Sequence, residues 1–233
     1  MTNLHLRKER LENITATEMS AILGVNPYNT ATSVYKQKLD PQPVESIHLR
    51  RGHLMEPAVL EALNMDLKWD TERHLGGTIV MTDHRVAATP DAYTKGRTAL
   101  IECKSIGYKS FNKWYEAPPP HYQVQVAVQM MVTGIHKGYI AALEAGDPYD
   151  SEWRLIVWEI AHNKELEDIM KRATGRFWDL AEAGKSLRAG KDTKPTTERV
   201  LEILAETHKL TYPLEVPKME TLDDLSYALS LFE

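Results

Sequence analysis

Between residues 85 and 104 the chain reads RVAATPDAYTKGRTALIECK. Three short runs rich in strand formers lie here, Arg85–Thr89, Ala92–Lys95 and Thr98–Lys104, with Lys95-Gly96-Arg97 as a turn. On a strand, residues two apart share a face at ~6.6 Å spacing. Glu102 and Lys104 therefore project together, while Cys103 points the other way into packing. The turn at Gly96 brings the strand carrying Asp91 back alongside. Two carboxylates and one ammonium converge. Carboxylates suit Mg²⁺, a hard ion that keeps several waters and needs few protein ligands. Such an ion lowers the pKa of a bound water and stabilises charge on a phosphoryl group. Lys104 can orient or deprotonate the attacking water and screen charge on phosphorus. A lone Glu-x-Lys is commonplace on surface hairpins, so the weight lies in its pairing with Pro90-Asp91 and in what surrounds both.

Upstream of this stretch, Leu67–Leu75 and Thr78–Met81 extend the pattern into a meander of antiparallel strands, punctuated by Gly76-Gly77 and Thr82-Asp83-His84. Before it the chain is helical. Thr15 and Glu18 have capping-box spacing, so a helix starts at residues 13–18 and stops near Gly24. A short helix follows at Thr30–Lys38, then a longer one at Ser46–Met65, where Pro57 predicts a kink or a break. Downstream, a helix at Lys109–Glu116 is broken by Pro118-Pro119-Pro120, and another runs from Pro120 to Thr133, ending at Gly134. Lys137–Leu143 and Trp153–Ile160 read as strands joined by a turn at Gly146-Asp147-Pro148. Leu166, Ile169, Met170, Ala173, Phe177 and Leu180 form one stripe of a helix at Asn163–Ala183. The fold class is α+β: a central mixed, largely antiparallel sheet flanked by helices. Residues 1–192 make one domain. Residues 193–233 make a helical C-terminal extension, with helices at Thr197–His208 and Leu222–Leu231, packed on that domain or on a neighbouring subunit.

The whole-chain properties set bounds. At 233 residues there is room for one well-buried domain. Apolar residues at 42% and charged residues at 26% are ordinary for a soluble globular protein. No apolar run approaches the ~20 residues of a membrane span. The polar, charged start is no secretory signal. The single cysteine makes no internal disulfide and fits a reducing cytoplasm. A net charge of −5 weighs against indiscriminate coating of nucleic acid, yet leaves room for a local basic channel. Gly184-Lys185-Ser186 lacks the earlier glycine of a phosphate-binding loop and reads as a helix end. The nine histidines lack zinc-type spacing.

Four stretches in order carry a resemblance. They are Ile14-Thr15-Ala16-Thr17-Glu18, Arg51-Gly52-His53-Leu54-Met55-Glu56, the pair Pro90-Asp91 with Glu102-Cys103-Lys104, and Tyr122-Gln123-Val124-Gln125 leading to Val132-Thr133-Gly134. Together they resemble the phage lambda-type exonuclease (YqaJ-like) family of the PD-(D/E)XK nuclease superfamily, with a restriction-endonuclease-like core, over roughly Arg10 to Gly134. The resemblance implies Asp91, Glu102 and the Cys103 backbone carbonyl as metal ligands and Lys104 as the catalytic lysine. It places Glu56 near a second metal, so one or two Mg²⁺ ions, with Mn²⁺ as a substitute. Gln125 would support the active site, with Tyr122 one helical turn before it. Gln129 lines the same side further away, and Gln123 points elsewhere.

Arg10, Thr15 and Thr17 resemble a pocket for a terminal 5′-phosphate, an arrangement that also makes sense as an Arg with hydroxyls at a helix start. Thr15 serves equally as a plain helix cap. Thr89 touches either the DNA backbone or its strand neighbours. The implied activity is a 5′→3′ exonuclease on linear double-stranded DNA, giving 5′-mononucleotides and a 3′ overhang. The implied partners are DNA ends, a single-strand annealing protein and two further copies in a homotrimeric ring, in the bacterial cytoplasm as a phage or prophage product. A site- or structure-specific endonuclease and a non-catalytic end-binding scaffold are the rival readings.

Overall fold

The computed structural model describes residues 8–43, 47–144, 153–186 and 194–213. The expected turn at Gly146-Asp147-Pro148 and the expected helix at Leu222–Leu231 lie outside them.

The chain begins with α1 (Lys8–Leu11) and β1 (Ile14–Thr15), then α2 (Ala16–Ile22). The capping box forms as its spacing predicts. Thr15 Oγ1 accepts from the Glu18 amide at 3.3 Å, and Glu18 accepts from the Thr15 amide at 2.8 Å. Thr30 caps α3 (Ala31–Leu39) in the same manner with Ser33. The helix α4 spans Ile47–Leu67 without a break, although Pro57 lies inside it. Pro57 is exposed, so water can serve the carbonyl that its missing N–H leaves unpaired. Lys68 then takes a left-handed conformation (φ 56°) and ends the helix. The strand expected over Leu67–Leu75 shrinks to β2 (Thr71–Arg73) for that reason.

The expected single meander is instead divided between two sheets. β3 (Ile79–Met81) and β4 (Val86–Ala88) pair antiparallel, and β1 runs parallel to β4, giving a three-stranded sheet ordered β1-β4-β3. β5 (Ala92–Thr94) and β6 (Leu100–Ile106) belong to a six-stranded sheet. The chain passes from one sheet to the other at Thr89-Pro90-Asp91. Pro90 has no N–H to continue a ladder, and this is where β4 stops.

After β6 come α5 (Tyr108–Glu116), α6 (Pro120–Thr133), β7 (Lys137–Glu144), β8 (Arg154–Ala161), α7 (Lys164–Glu182), α8 (Lys194–Glu206) and β9 (His208–Tyr212). The large sheet is ordered β2-β5-β6-β7-β8-β9. Only the β6–β7 pair in it is parallel, because α5 and α6 form the crossover between them. The fold is mixed α+β, with helices on both faces of the sheet.

Alternation along β6 sorts its side chains. Ile101 and Cys103 join Val59, Leu60 and Leu63 of α4 in one core. Leu100 and Ile106 join the larger core built with α2, α6 and α7. The approach of α6 is close. A Cβ on Gly138 of β7 would stand 2.3 Å from Val126 Cγ1, so only glycine lets the helix lie this near the sheet.

The C-terminal part departs from a purely helical reading. Its helix, expected at Thr197–His208, is α8, and β9 follows as an outer strand paired with β8. The run HKLTY is short and polar enough that its pattern gave no strand signal.

Candidate active site

Because Leu100 and Ile106 face α6, Glu102 and Lys104 face it too. The Glu102 carboxylate is 1% exposed and densely held. Its Oε1 accepts from Gln125 Nε2 at 2.5 Å and from the Lys104 ammonium, and its Oε2 accepts from Gln129 Nε2 at 2.6 Å. Gln125 and Gln129 lie one turn apart on α6 and grip one carboxylate from the same side. Gln129 thus belongs to the first ring of contacts, nearer than the sequence suggests. Gln123 does point elsewhere, donating to the Pro118 carbonyl at 2.7 Å and fixing the corner between α5 and α6.

Asp91 sits one residue before β5. Its Oδ2 accepts from the Cys103 amide at 2.8 Å. The β5–β6 ladder ends at the pair Ala92↔Ile101, so the carboxylate supplies the acceptor that a further strand residue would have supplied. Desolvation raises the Asp91 carboxyl well above the ordinary range, and the neighbouring Glu102 adds to this; Lys104 and the Cys103 N–H oppose it. For Lys104, burial works to lower the pKa, but Glu102 and Asp91 outweigh it and hold the ammonium above its ordinary value. The Cys103 thiol is buried on the α4 side and pushed up by that burial and by the two carboxylates.

Glu56 reaches the site's edge from α4. It is bonded to His53 Nδ1 at 2.8 Å and Arg73 at 3.2 Å, and its charge contributes to raising Asp91. Tyr122 lies beneath Lys104, with Nζ 4.5 Å from the ring centroid. Tyr122 stacks on Trp114 (5.6 Å) and meets His121 (4.0 Å). Trp114 itself is buried, with its carbonyl accepting from Trp158 Nε1 at 2.8 Å. Burial, aided by Lys104, lowers His121 to about 4, so the ring is neutral at neutral pH. His121 and Gln129 carried no motif signal.

The remaining candidates lie on the small sheet and its approaches. Thr15 is buried and its hydroxyl serves as the α2 cap. Thr17 is exposed in the first turn of α2. Arg10 lies in α1, and its carbonyl accepts from Lys38 Nζ at 2.5 Å. Thr89 is exposed at the sheet crossing, its hydroxyl 3.1 Å from that of Thr78.

The donor set fits a hard divalent cation. Two close carboxylates face one ammonium, so negative charge is left over when both are ionised. A carboxylate offers about four lone-pair sites. Glu102 gives three to Lys104, Gln125 and Gln129, which leaves one. No cluster of three His, Cys, Asp or Glu side chains suited to a metal occurs among the described residues. Asp91, Glu102 and a main-chain carbonyl would therefore hold the ion, with water completing its shell, as Mg²⁺ accepts.

A family model described as the YqaJ-like viral recombinase domain matches residues 4–136. That span runs from before α1 past the end of α6 and holds every candidate residue. The uncharacterized protein YqaJ of Bacillus subtilis (strain 168) is 26% identical over 206 residues, covering 85% of this chain and 62% of that protein. The chain thus spans less than two thirds of that relative's length. An alkaline exonuclease, LHK-Exo, from Laribacter hongkongensis superposes with a TM-score of 0.60 at 19% identity, covering 83% of this chain and 96% of that one. Its structure in complex with dAMP gives 0.59 at 18% identity over the same shares. A phage related exonuclease from Haemophilus somnus 129PT gives 0.53 at 12% identity, covering 82% and 96%. At these identities the likeness is one of fold.

Proposed function

The chain belongs to the YqaJ-like viral recombinase domain family, and on that premise we propose that it is a Mg²⁺-dependent 5′→3′ exonuclease acting on linear double-stranded DNA. It releases 5′-mononucleotides and leaves a 3′ single-stranded overhang for recombination. The observation that carries this is the placement of Asp91, Glu102 and Lys104 at one point, with Gln125 and Gln129 locking the central carboxylate. The likeness in fold to an alkaline exonuclease solved with dAMP supports it.

The residues divide the work. Asp91 and Glu102 would hold Mg²⁺, or Mn²⁺ in its place, with the Cys103 carbonyl, and Glu56 would serve a second ion. When bound, the ion acidifies a water and draws charge from the phosphoryl oxygens. Two carboxylates face the Lys104 ammonium and hold its pKa up. Lys104 orients the attacking water or helps deprotonate it, and stabilises the charge growing on phosphorus. The Tyr122 ring supports the ammonium from below. Gln125 and Gln129 prevent Glu102 from turning away, so the site needs little rearrangement during reaction. Arg10, Thr17 and Thr89 hold the terminal 5′-phosphate and adjacent backbone, while the buried Thr15, expected in the same pocket, serves as the α2 cap. A homotrimeric ring, an annealing-protein partner and a phage-derived role in the bacterial cytoplasm complete the reading and rest on the resemblance.

The test uses three substrates with Mg²⁺ or with EDTA: linear duplex with 5′-phosphate, linear duplex with 5′-hydroxyl, and closed circular plasmid. Mononucleotides from the phosphorylated linear duplex, in Mg²⁺ only, are expected. Cutting of the circle would replace this reading with an endonuclease, and end binding without product would replace it with a scaffold.

A further inference from the structure

Tyr28 stands out among the exposed aromatics. It is 81% exposed, in the connection between α2 and α3. Exposure alone would mean little. Its backbone, however, is tied down. Asn26 Oδ1 accepts from the amides of Tyr28 (2.8 Å) and Asn29 (2.9 Å), and Asn26 Nδ2 donates to Ser20 Oγ at 2.9 Å. Ser20 is buried in α2, and its carbonyl accepts from the amides of Val25 and Asn26. Side-chain closure of this kind fixes a turn. A large apolar ring is thus held out into solvent on a rigid mount, at a position where neither the core nor the turn needs it.

The ring's surroundings connect it to the catalytic centre. Tyr28 meets His121 edge-on, with centroids 5.9 Å apart. His121 lies 4.0 Å from Tyr122, and Tyr122 carries the Lys104 ammonium. The rings form a continuous path, Tyr28–His121–Tyr122–Trp114, that begins in solvent, passes under Lys104 and ends in the core. The His121 Nε2 atom is enclosed without a hydrogen-bond partner among the described residues. With its ring neutral, His121 therefore presents a face and not a charge to whatever lies beside it.

We propose that Tyr28, backed by His121, is a stacking platform for the nucleobase attached to the phosphate held at Lys104, and so a substrate-positioning residue. The proposal rests on the nuclease reading above and adds a base-contacting element to it. Phosphate and metal contacts fix the backbone only at points. A flat ring at the solvent end of the aromatic path that leads to the ammonium fixes the rotation of the nucleotide about those points. Stacking is tolerant of sequence, since every base has a π-face, as an exonuclease on arbitrary DNA requires.

The experiment compares two 5′-phosphorylated linear duplexes, one with a normal 5′-terminal nucleotide and one with an abasic 5′-terminal residue, both labelled at the far end. Binding is measured with Ca²⁺ in place of Mg²⁺ to hold back cleavage. The wild-type protein is expected to bind the abasic end roughly 5- to 150-fold more weakly, the range of one base–aromatic stack. Tyr28→Ala is expected to bind both ends within twofold of each other, at the affinity of the abasic complex. Tyr28→Phe and Tyr28→Trp are expected to restore the discrimination. Since Tyr28 is exposed, the melting temperature should not move in any of them. Discrimination that persists in Tyr28→Ala, or that is absent from the wild type, would overturn the platform while leaving the nuclease reading standing. A wild type that binds no end would overturn both.

Discussion

The molecule buries two lysine ammoniums against glutamates, and it treats them oppositely. Lys38 Nζ donates to the Arg10 and Asn13 carbonyls and to both oxygens of Glu18, and the side chain is 5% exposed. Its hydrogen bonds are fully spent on tying α3 to the segment before α2. One carboxylate faces it, Arg10 is near, and burial lowers its pKa. Lys104 faces two carboxylates, donates to Glu102, and is held above its ordinary value. The first lysine is a clasp with its charge settled. The second belongs to a cluster with surplus negative charge and donors to spare, which is what a site for a cation and a phosphate requires.

Breaking that contrast should give effects of different kinds. Lys104→Ala should lower cleavage at least about a thousandfold, ~4 kcal/mol of barrier, while end binding persists. Single-turnover rates against end-binding affinity would show it, and a fully active variant would remove Lys104 from the chemistry. Lys38→Met should leave the single-turnover rate of the folded fraction within a few fold of wild type. It should cost about 3 kcal/mol of stability, because it strands Glu18 and two carbonyls. Urea unfolding monitored by tryptophan fluorescence reads this directly. A Lys38 variant that lost its rate but kept its stability would invert the assignment.

Gln129→Ala is a smaller perturbation. It strands one oxygen of a 1% exposed carboxylate, at about 1–2 kcal/mol. The cost should appear both in stability and as a roughly tenfold lower turnover, since Glu102 would be free to rotate. Gln125→Ala, at a more accessible position, should do the same less severely. Unchanged turnover in both would show that the glutamines serve the fold alone.

The smallest expected effect is on alkaline pH dependence. The folded pKa of Lys38 lies below the unfolded value, so between the two the unfolded chain binds more protons and stability rises with pH. For Lys104 the folded pKa is raised, so its contribution is full below the unfolded value near 10.5 and is lost as pH climbs through the folded one. Denaturation midpoints from pH 8 to 11 should therefore be tilted downward by Lys38→Met and upward by Lys104→Met, each relative to wild type. Equal tilts would erase the distinction between the two lysines.

Some of this was open to reading and some was not. Glu102 and Lys104 share a face because strand alternation is local, and two positions suffice to state it. Thr15 and Glu18 announce a capping box for the same reason. The division of Val86–Ala88 and Ala92–Thr94 between two sheets was hidden. Pro90 marks where a ladder stops, but nothing in it names the next partner. Gln129 was undervalued because its contact depends on how closely α6 lies on the sheet, and that distance is set by Gly138 against Val126, far along the chain. Tyr28 has nothing in its local sequence to set it apart; only the fold lines it up with His121. Residue types and short spacings were legible, whereas meetings between distant elements were not.

The outer strand β9 has a consequence for how the protein is made. Every residue of the candidate site, from Glu56 on α4 to Gln129 on α6, lies at or before position 129, so a chain emerging from the ribosome has those parts early. The outer edge of β8 must wait for residues 208–212, with two helices synthesised in between. During that interval an apolar strand carries open hydrogen-bonding groups, the condition under which nascent chains pair with one another. The arrival of α8 and β9 at that edge closes the interval and covers those groups.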